Sequence, residues 1–259
     1  MRIGICAGID AITKAQAAGF DYIEPSVVSI AGMTEEQFAS ACSLAASSSI
    51  RCEAFNVLFP GDIKVVGPQV DAARIQDHLT KSFERIAKLG AQMVVFGSGG
   101  ARKCPDGWEK ARAVEQFIET ARIAGDAAKK HGLTIVVEPL NTGETNIINS
   151  VSEGKDVVSR TAHPNVKLLA DWYHIRKDNE PAVHISEAGA LLQHIHVINS
   201  NGRNVPASRA EDDYASFFRE LSLIHYRGRM SIEGKVNDIA VEGPVALALL
   251  RGLAKEHGL

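Results

Sequence analysis

A chain of 259 residues that is 45% hydrophobic and 23% charged has the length and apolar content of one large α/β domain. A formal net charge of −3, with no Lys/Arg cluster beyond a short pair or triplet, argues against a nucleic-acid partner. No stretch nears the roughly 18 apolar residues of a membrane span, the opening Met1-Arg2-Ile3-Gly4-Ile5-Cys6 is too brief for a signal peptide, and Cys6, Cys42, Cys52 and Cys104 form no C-x-x-C pair. A cytoplasmic enzyme with reduced thiols is the expectation.

Strand-like and helix-like patterns alternate along the chain. Strands are predicted at Arg2–Cys6, Tyr22–Pro25, Arg51–Asn56, Met93–Phe96, Thr134–Glu138, Val166–Ala170, His194–Ile198 and Met230–Glu233. Helices are predicted at Ala11–Ala18, Glu35–Ser48, Asp71–Leu89, Trp108–His131, Ser152–Ala162, Ala182–Leu192, Asp212–Ile224 and Gly243–Lys255. Gly19, Gly90, Gly132 and Gly228 punctuate helix-to-strand connections, where a left-handed cap is favoured. Thr34 with Gln37 spells a capping box. Strands apolar almost throughout are expected to be covered on both faces, as in a parallel sheet of right-handed βαβ units. Only a single glycine follows the first strand, in Cys6-Ala7-Gly8, which disfavours an open doubly wound sheet with a phosphate turn. The prediction is a single-domain (β/α)8 TIM barrel over residues 1–259.

The most informative feature lies in the second half. Four apolar runs stop at a potential metal ligand: Glu138, Asp171, His196 and Glu233. Their spacing is close to one strand–helix unit, roughly 31 residues in a barrel of about 250. Any one of these could be a solvated rim residue or, for Asp171, a helix N-cap. Together they point to one pocket at the carboxyl ends of the strands, where this fold places its chemistry. His194 shares the face of His196 but lies one layer deeper, so it is expected to be a hydrogen-bonded core histidine. Three oxygens and one nitrogen without sulfur suit one divalent cation, with Mn²⁺ foremost and Co²⁺, Mg²⁺, Fe²⁺ or Zn²⁺ as alternatives. In an eightfold ring, Glu138 and Glu233 would face each other across a bound substrate. Two bases flanking a carbon acidified by a neighbouring carbonyl would remove a proton from one face and return one to the other, through an enediolate.

Loop residues extend the pocket. Glu144, His174 and Arg203 are each expected either to reach sugar oxygens or, equally, to order their loops, and Trp172 is predicted as an apolar wall or, equally, a core residue. Gly97-Ser98-Gly99-Gly100-Ala101-Arg102 is either an anion-binding nest or a sterically open turn.

These residues resemble the sugar phosphate isomerase/epimerase family of xylose isomerase-like barrels, in particular the branch with D-tagatose 3-epimerase and D-psicose 3-epimerase. The resemblance is carried by Glu138-Pro-Leu-Asn-x-x-Glu144, Asp171-x-x-His174, His196 with Gly202-Arg203, and Ser231-Ile-Glu233. It implies that Glu138, Asp171, His196 and Glu233 bind the cation. It also implies that Glu138 and Glu233 form the acid/base pair, and that Glu144, His174 and Arg203 hold a ketose. Hydroxypyruvate isomerase-like relatives often have Gln where His196 stands. The stretch Asn204–Arg209 departs from the family's common Pro-Gly-x-Gly turn, and Phe59-Pro60-Gly61-Asp62 is a predicted specificity element. Family precedent implies a homo-oligomer, dimer or tetramer. The alternative chemistry is a lyase or dehydratase on a keto-sugar or keto-inositol, which would begin with the same proton abstraction.

Overall fold

The apolar runs become the staves of one parallel sheet in the computed structural model, which describes residues 1–259. The strands are β1 (Arg2–Cys6), β2 (Tyr22–Glu24), β3 (Arg51–Cys52), β4 (Ala54–Phe55), β5 (Met93–Phe96), β6 (Thr134–Val137), β7 (Val166–Asp171), β8 (Leu192–Val197) and β9 (Arg229–Ile232). Their order across the sheet is β3-β2-β1-β9-β8-β7-β6-β5-β4. β3 and β4 are halves of one stave, interrupted at Glu53: β3 pairs with β2 and β4 pairs with β5, so the sheet closes into an eightfold barrel. The predicted continuous strand Arg51–Asn56 is therefore corrected to two pieces. At the break the Glu53 carbonyl accepts the amides of both Gln92 (2.9 Å) and Met93 (3.2 Å).

Helices α1 (Ile12–Ala18), α3 (Glu35–Ser47), α4 (Ala72–Lys88), α6 (Lys110–Lys129), α7 (Val151–Thr161), α9 (Val183–Ala188), α10 (Tyr214–Leu223) and α11 (Ile239–Glu256) match the predicted set, with shifted ends. The capping box forms in both directions: Gln37 N–H donates to Thr34 Oγ1 (3.2 Å) and Thr34 N–H to Gln37 Oε1 (2.9 Å). Asp238 caps α11 through the Ala240 amide, which starts that helix ahead of the predicted Gly243. Gly19, Gly90 and Gly132 take left-handed φ, as predicted, whereas Gly228 does not; a Cβ there would lie 2.4 Å from the Tyr226 hydroxyl, so close packing is what requires it. Three further short helices follow strands at the barrel mouth: α2 (Val27–Ala31), α5 (Gly99–Arg102) and α8 (Trp172–Lys177). They are one or two turns long, too short to show helical periodicity.

Burial follows the barrel logic. One cluster of 67 buried residues fills the space between sheet and helices, while small sets such as Tyr22, Ala54 and Met93, or Val95, Val136 and Leu169, plug the barrel interior in layers. The sheet is thus a filled core that leaves only its mouth open to chemistry. All four cysteines are free, and no helix is long and apolar enough to cross a membrane.

Candidate active site

Strand ends deliver the functional side chains. Asp171 is the last residue of β7, His196 pairs with it in register on β8, and Glu138 and Glu233 directly follow β6 and β9. Both glutamates remain tied to the sheet, since their amides donate to the carbonyls of Phe96 (3.3 Å) and Val197 (3.2 Å). Their backbones are therefore as fixed as the strands themselves. Gly97 clears space for one of them: a Cβ at Gly97 would lie 2.1 Å from Glu138 Oε2.

The four predicted ligands converge. His196 Nδ1 lies 3.1 Å from Glu138 Oε1, 3.8 Å from Glu233 Oε2 and 3.9 Å from Asp171 Oδ2. Oxygens of the three carboxylates and a ring nitrogen of His174 lie within 4.8 Å of one another. Such crowding is electrostatically costly. Burial, with Glu138 and Asp171 nearby, pushes the Glu233 carboxyl up to about 8 against the pull of His196 and Arg203. Glu138 moves the other way: burial opposes it, but the hydrogen bond and charge of His196 hold it below the ordinary carboxylate range. Asp171 Oδ2 is buried and has no hydrogen-bond partner, although Oδ1 caps α8 by accepting from Tyr173 N–H (2.6 Å). Converging carboxylates, one of them with an orphaned oxygen, fit a divalent cation held by Glu138, Asp171, His196 and Glu233.

Which histidine supplies the nitrogen follows from the hydrogen bonds. His174 Nδ1 accepts the Asn141 backbone N–H (3.2 Å), which places its proton on Nε2, facing Asp171 Oδ2 at 3.7 Å. His174 therefore presents a donor to the pocket. His196 is the reverse: Nε2 faces the Glu24 carboxylate (3.0 Å), which leaves Nδ1 for the site.

Glu24 is the residue that the strand-end survey missed, and it sits at the hub of a buried cluster. Its Oε2 accepts from His194 Nε2 (2.9 Å) and Ser231 Oγ (2.5 Å), and the Tyr22 hydroxyl lies 2.7 Å from Ser231 Oγ. Burial opposes its ionisation, yet His196 and His194 hold the carboxyl well below the usual range. His194 is the core histidine the alternation predicted. The overlooked signal was Ile23-Glu24-Pro25, which repeats the strand-ending pattern of Val137-Glu138-Pro139. Cys6, at the end of β1, lies beside Glu24 and His196 and was likewise not singled out.

The outer residues are arranged around the rim. Arg203, in left-handed φ (58°), donates to Glu233 Oε2 (2.9 Å) and Glu144 Oε1 (3.4 Å), and its guanidinium sits 4.5 Å from the centre of the Tyr173 ring. Asn141 Nδ2 also donates to Glu144 Oε1 (3.1 Å). Trp172 takes the core role of its two readings, which corrects the substrate-contact one: it is 1% exposed and packs on Phe217 of α10 at 4.9 Å, so it supports the wall from behind rather than facing a sugar. Its α8 position turns the ring toward the helical layer. Of the two readings of the glycine-rich loop, the one that used Arg102 as an anion ligand does not hold. Arg102 is fully buried, donates to the carbonyls of Glu138 (2.7 Å), Phe96 and Ile148, and lies over Phe117. It braces the loop carrying Glu138 and is closed to an external anion. Phe59, in the predicted specificity element, is 1% exposed and packed edge-on against Phe96.

Several known proteins are similar to this chain in sequence and fold. The chain is 28% identical over 234 residues to L-ribulose 3-epimerase of Methylomonas sp. (strain DH-1), covering 88% of this chain and 79% of that protein. It is 27% identical over 233 residues to D-psicose 3-epimerase of Agrobacterium fabrum, covering 86% and 77%. The crystal structure of D-allulose 3-epimerase from Methylomonas sp. in complex with D-allulose superposes with a TM-score of 0.85 at 21% identity, covering 97% of this chain and 96% of that one. The xylose isomerase-like TIM barrel family matches residues 12–253, and this chain belongs to it.

Proposed function

We propose that this protein is a divalent-cation-dependent ketose epimerase, inverting a carbon beside a carbonyl, with Glu138 and Glu233 as the proton-transferring pair. The observation that carries the reading is the convergence of Glu138, Asp171, Glu233 and His196 Nδ1 at the barrel mouth. The names of the relatives, L-ribulose and D-psicose 3-epimerases, point to carbon 3 of a ketose. Among the candidate cations Mn²⁺ is the one we assign, since its chemistry accepts carboxylate oxygens together with an imidazole nitrogen. When bound, the cation would draw charge from the substrate carbonyl and acidify the adjacent carbon.

The chain's own groups do the rest. Glu138 and Glu233 follow strands three steps apart in the sheet order, so they approach a substrate from opposite sides. One of the pair takes the proton and the other returns one to the opposite face. The Nε2–H of His174 and the Arg203 guanidinium donate to sugar oxygens, and the Glu144 carboxylate accepts from a hydroxyl. The test is incubation with Mn²⁺ and a ketose panel in D₂O. The expected result is deuterium at carbon 3 together with the epimeric sugar. Loss of water from the sugar would instead establish a dehydratase, and no exchange with any ketose would refute proton abstraction.

A further inference from the structure

We propose that Glu24 is a positioning residue for the cation site: it fixes a proton on His196 Nε2 and so reserves the Nδ1 lone pair for the cation. The proposal rests on the cation-binding reading above and adds a residue that the ligand set does not contain. Glu24 ends β2 on the far side of His196 from Glu138 and is completely buried. An ionised carboxylate only accepts hydrogen bonds, so each nitrogen that faces it within bonding distance must carry hydrogen. His196 Nε2, 3.0 Å from Glu24 Oε1, therefore carries hydrogen with or without the cation, whereas Nδ1, 3.1 Å from Glu138 Oε1, bears a proton toward that carboxylate only until the cation takes its place. The ring has no freedom to exchange its two nitrogens. It is fully buried, its strand is paired on both sides, and the His194 ring stands against it at 5.0 Å and 79°. Outer partners of this kind orient a metal-binding histidine and raise its basicity.

The two oxygens of Glu24 are not equivalent, and this makes the proposal sharp. Oε2 receives two donors, His194 Nε2 and Ser231 Oγ, whereas Oε1 receives only His196. Because Ser231 spends its hydrogen on Glu24, the Tyr22 hydroxyl must donate to Ser231, which locks the Oε2 side as an acceptor position. In Glu24→Gln the amide oxygen takes the two-donor side, and the NH₂ is left facing His196 Nε2. That nitrogen must then accept, so the ring's one remaining proton is held on Nδ1, facing Glu138, where the cation needs a lone pair. A change of one atom at a residue that touches no substrate should thus weaken the cation.

The experiment measures ring protonation and affinity separately. Protein labelled with ¹⁵N-histidine, its His196 signals assigned by comparison with His196→Gln, is examined without cation and with diamagnetic Mg²⁺, and Mn²⁺ binding is followed by calorimetry. The wild type is expected to carry hydrogen on Nε2 in both states. Glu24→Gln is expected to lose it and to bind Mn²⁺ about 10–100-fold more weakly, with the circular dichroism of the fold retained. Ser231→Ala removes a donor to Oε2 but leaves the His196 contact, and should keep Nε2–H with less than a roughly threefold change in affinity. A wild-type His196 with bare Nε2 overturns the proposal whether or not the variant folds. Unchanged Mn²⁺ affinity in Glu24→Gln, or an equal loss in Ser231→Ala, also overturns it. Wild-type protein that binds no divalent cation would overturn the cation reading itself, a result distinct from either of these.

Discussion

The two ends of the barrel handle buried charge in opposite ways. At the amino-terminal floor, Glu53 is the lone buried carboxylate, and Arg2 (2.5 Å) and Arg229 (2.6 Å) close on it while Arg229 also reaches Gln92. Cations match the anion from within the chain, and nothing further is required. At the mouth, Glu24, Glu138, Asp171 and Glu233 gather around three buried histidines, His174, His194 and His196, and the half-buried Arg203, with Asp171 Oδ2 left without a partner. A floor that balances its own charge serves stability, whereas a mouth with surplus negative charge is built to be completed by something from outside. The same fold therefore shows what an ionic cluster looks like when it holds a protein together and when it awaits a ligand.

The sharpest way to test that contrast is to neutralise the mouth. Glu138→Gln or Glu233→Gln should slow exchange of the substrate proton with D₂O by about 10³-fold or more, with the fold intact by circular dichroism; full exchange in either variant would dismantle the two-base assignment. Gly97→Ala should cost about 10²-fold in turnover, because the new methyl displaces the Glu138 carboxylate without removing it. Its effect should appear in kcat, and unchanged kcat would mean that the carboxylate has room to move. At the floor, Glu53→Ala should lower unfolding stability by about 2–3 kcal/mol in denaturant titrations, at the low end for breaking a buried ion pair because Arg2 is half-exposed. Mn²⁺ affinity should be untouched, and a matching loss of affinity would join the two ends. Arg203→Ala should raise KM about tenfold over a ketose series, and an unaltered KM would remove this side chain from the pocket.

Much of the mouth was legible because its residues announce themselves by place. Glu138, Asp171, His196 and Glu233 each break an apolar run at one repeat unit's spacing, and strand ends converge in this fold whatever the loops do. The loop residues were a different matter. Trp172 sits beside Asp171 in sequence, yet the short helix α8 turns its ring onto Phe217, a direction that periodicity over six residues does not encode. Arg102 looked like an anion ligand because glycines surround it, but its guanidinium is consumed by three carbonyls that only tertiary structure brings together. Glu24 was hidden by distance: its partners His194, His196 and Ser231 lie 170 or more residues away, and only barrel closure makes them neighbours. The break at Glu53 arises likewise from a demand of closure, with two arginines from β1 and β9 drawing one side chain to the floor.

A smaller effect refines the comparison by pH. In the cation-free protein the Glu233 carboxyl titrates near 8, above its ordinary 4.5, because burial and the neighbouring Glu138 and Asp171 disfavour its charge. Its protonated form is preferred by the native state, so its contribution is fully present below pH 4.5 and is lost as pH rises through 8. His196 adds a decline of the same sign at higher pH: burial opposes its protonation, but Glu24 and Glu233 raise it well above 6.5. Glu138, shifted downward, acts in the opposite sense and matters only as pH falls below its ordinary value. Glu233→Gln keeps a neutral group in place at every pH. The cation-free variant should therefore be more stable than wild type at pH 8, by about 4 kcal/mol, and nearly equal to it at pH 4.5. Saturating Mn²⁺ should reverse the order at pH 8, since the wild type gains binding energy that the variant has lost. Equal melting curves for the two cation-free proteins across this range would show that the mouth tolerates its crowded carboxylates as easily as the floor holds Glu53, and the contrast between the two ends would no longer mark a ligand site.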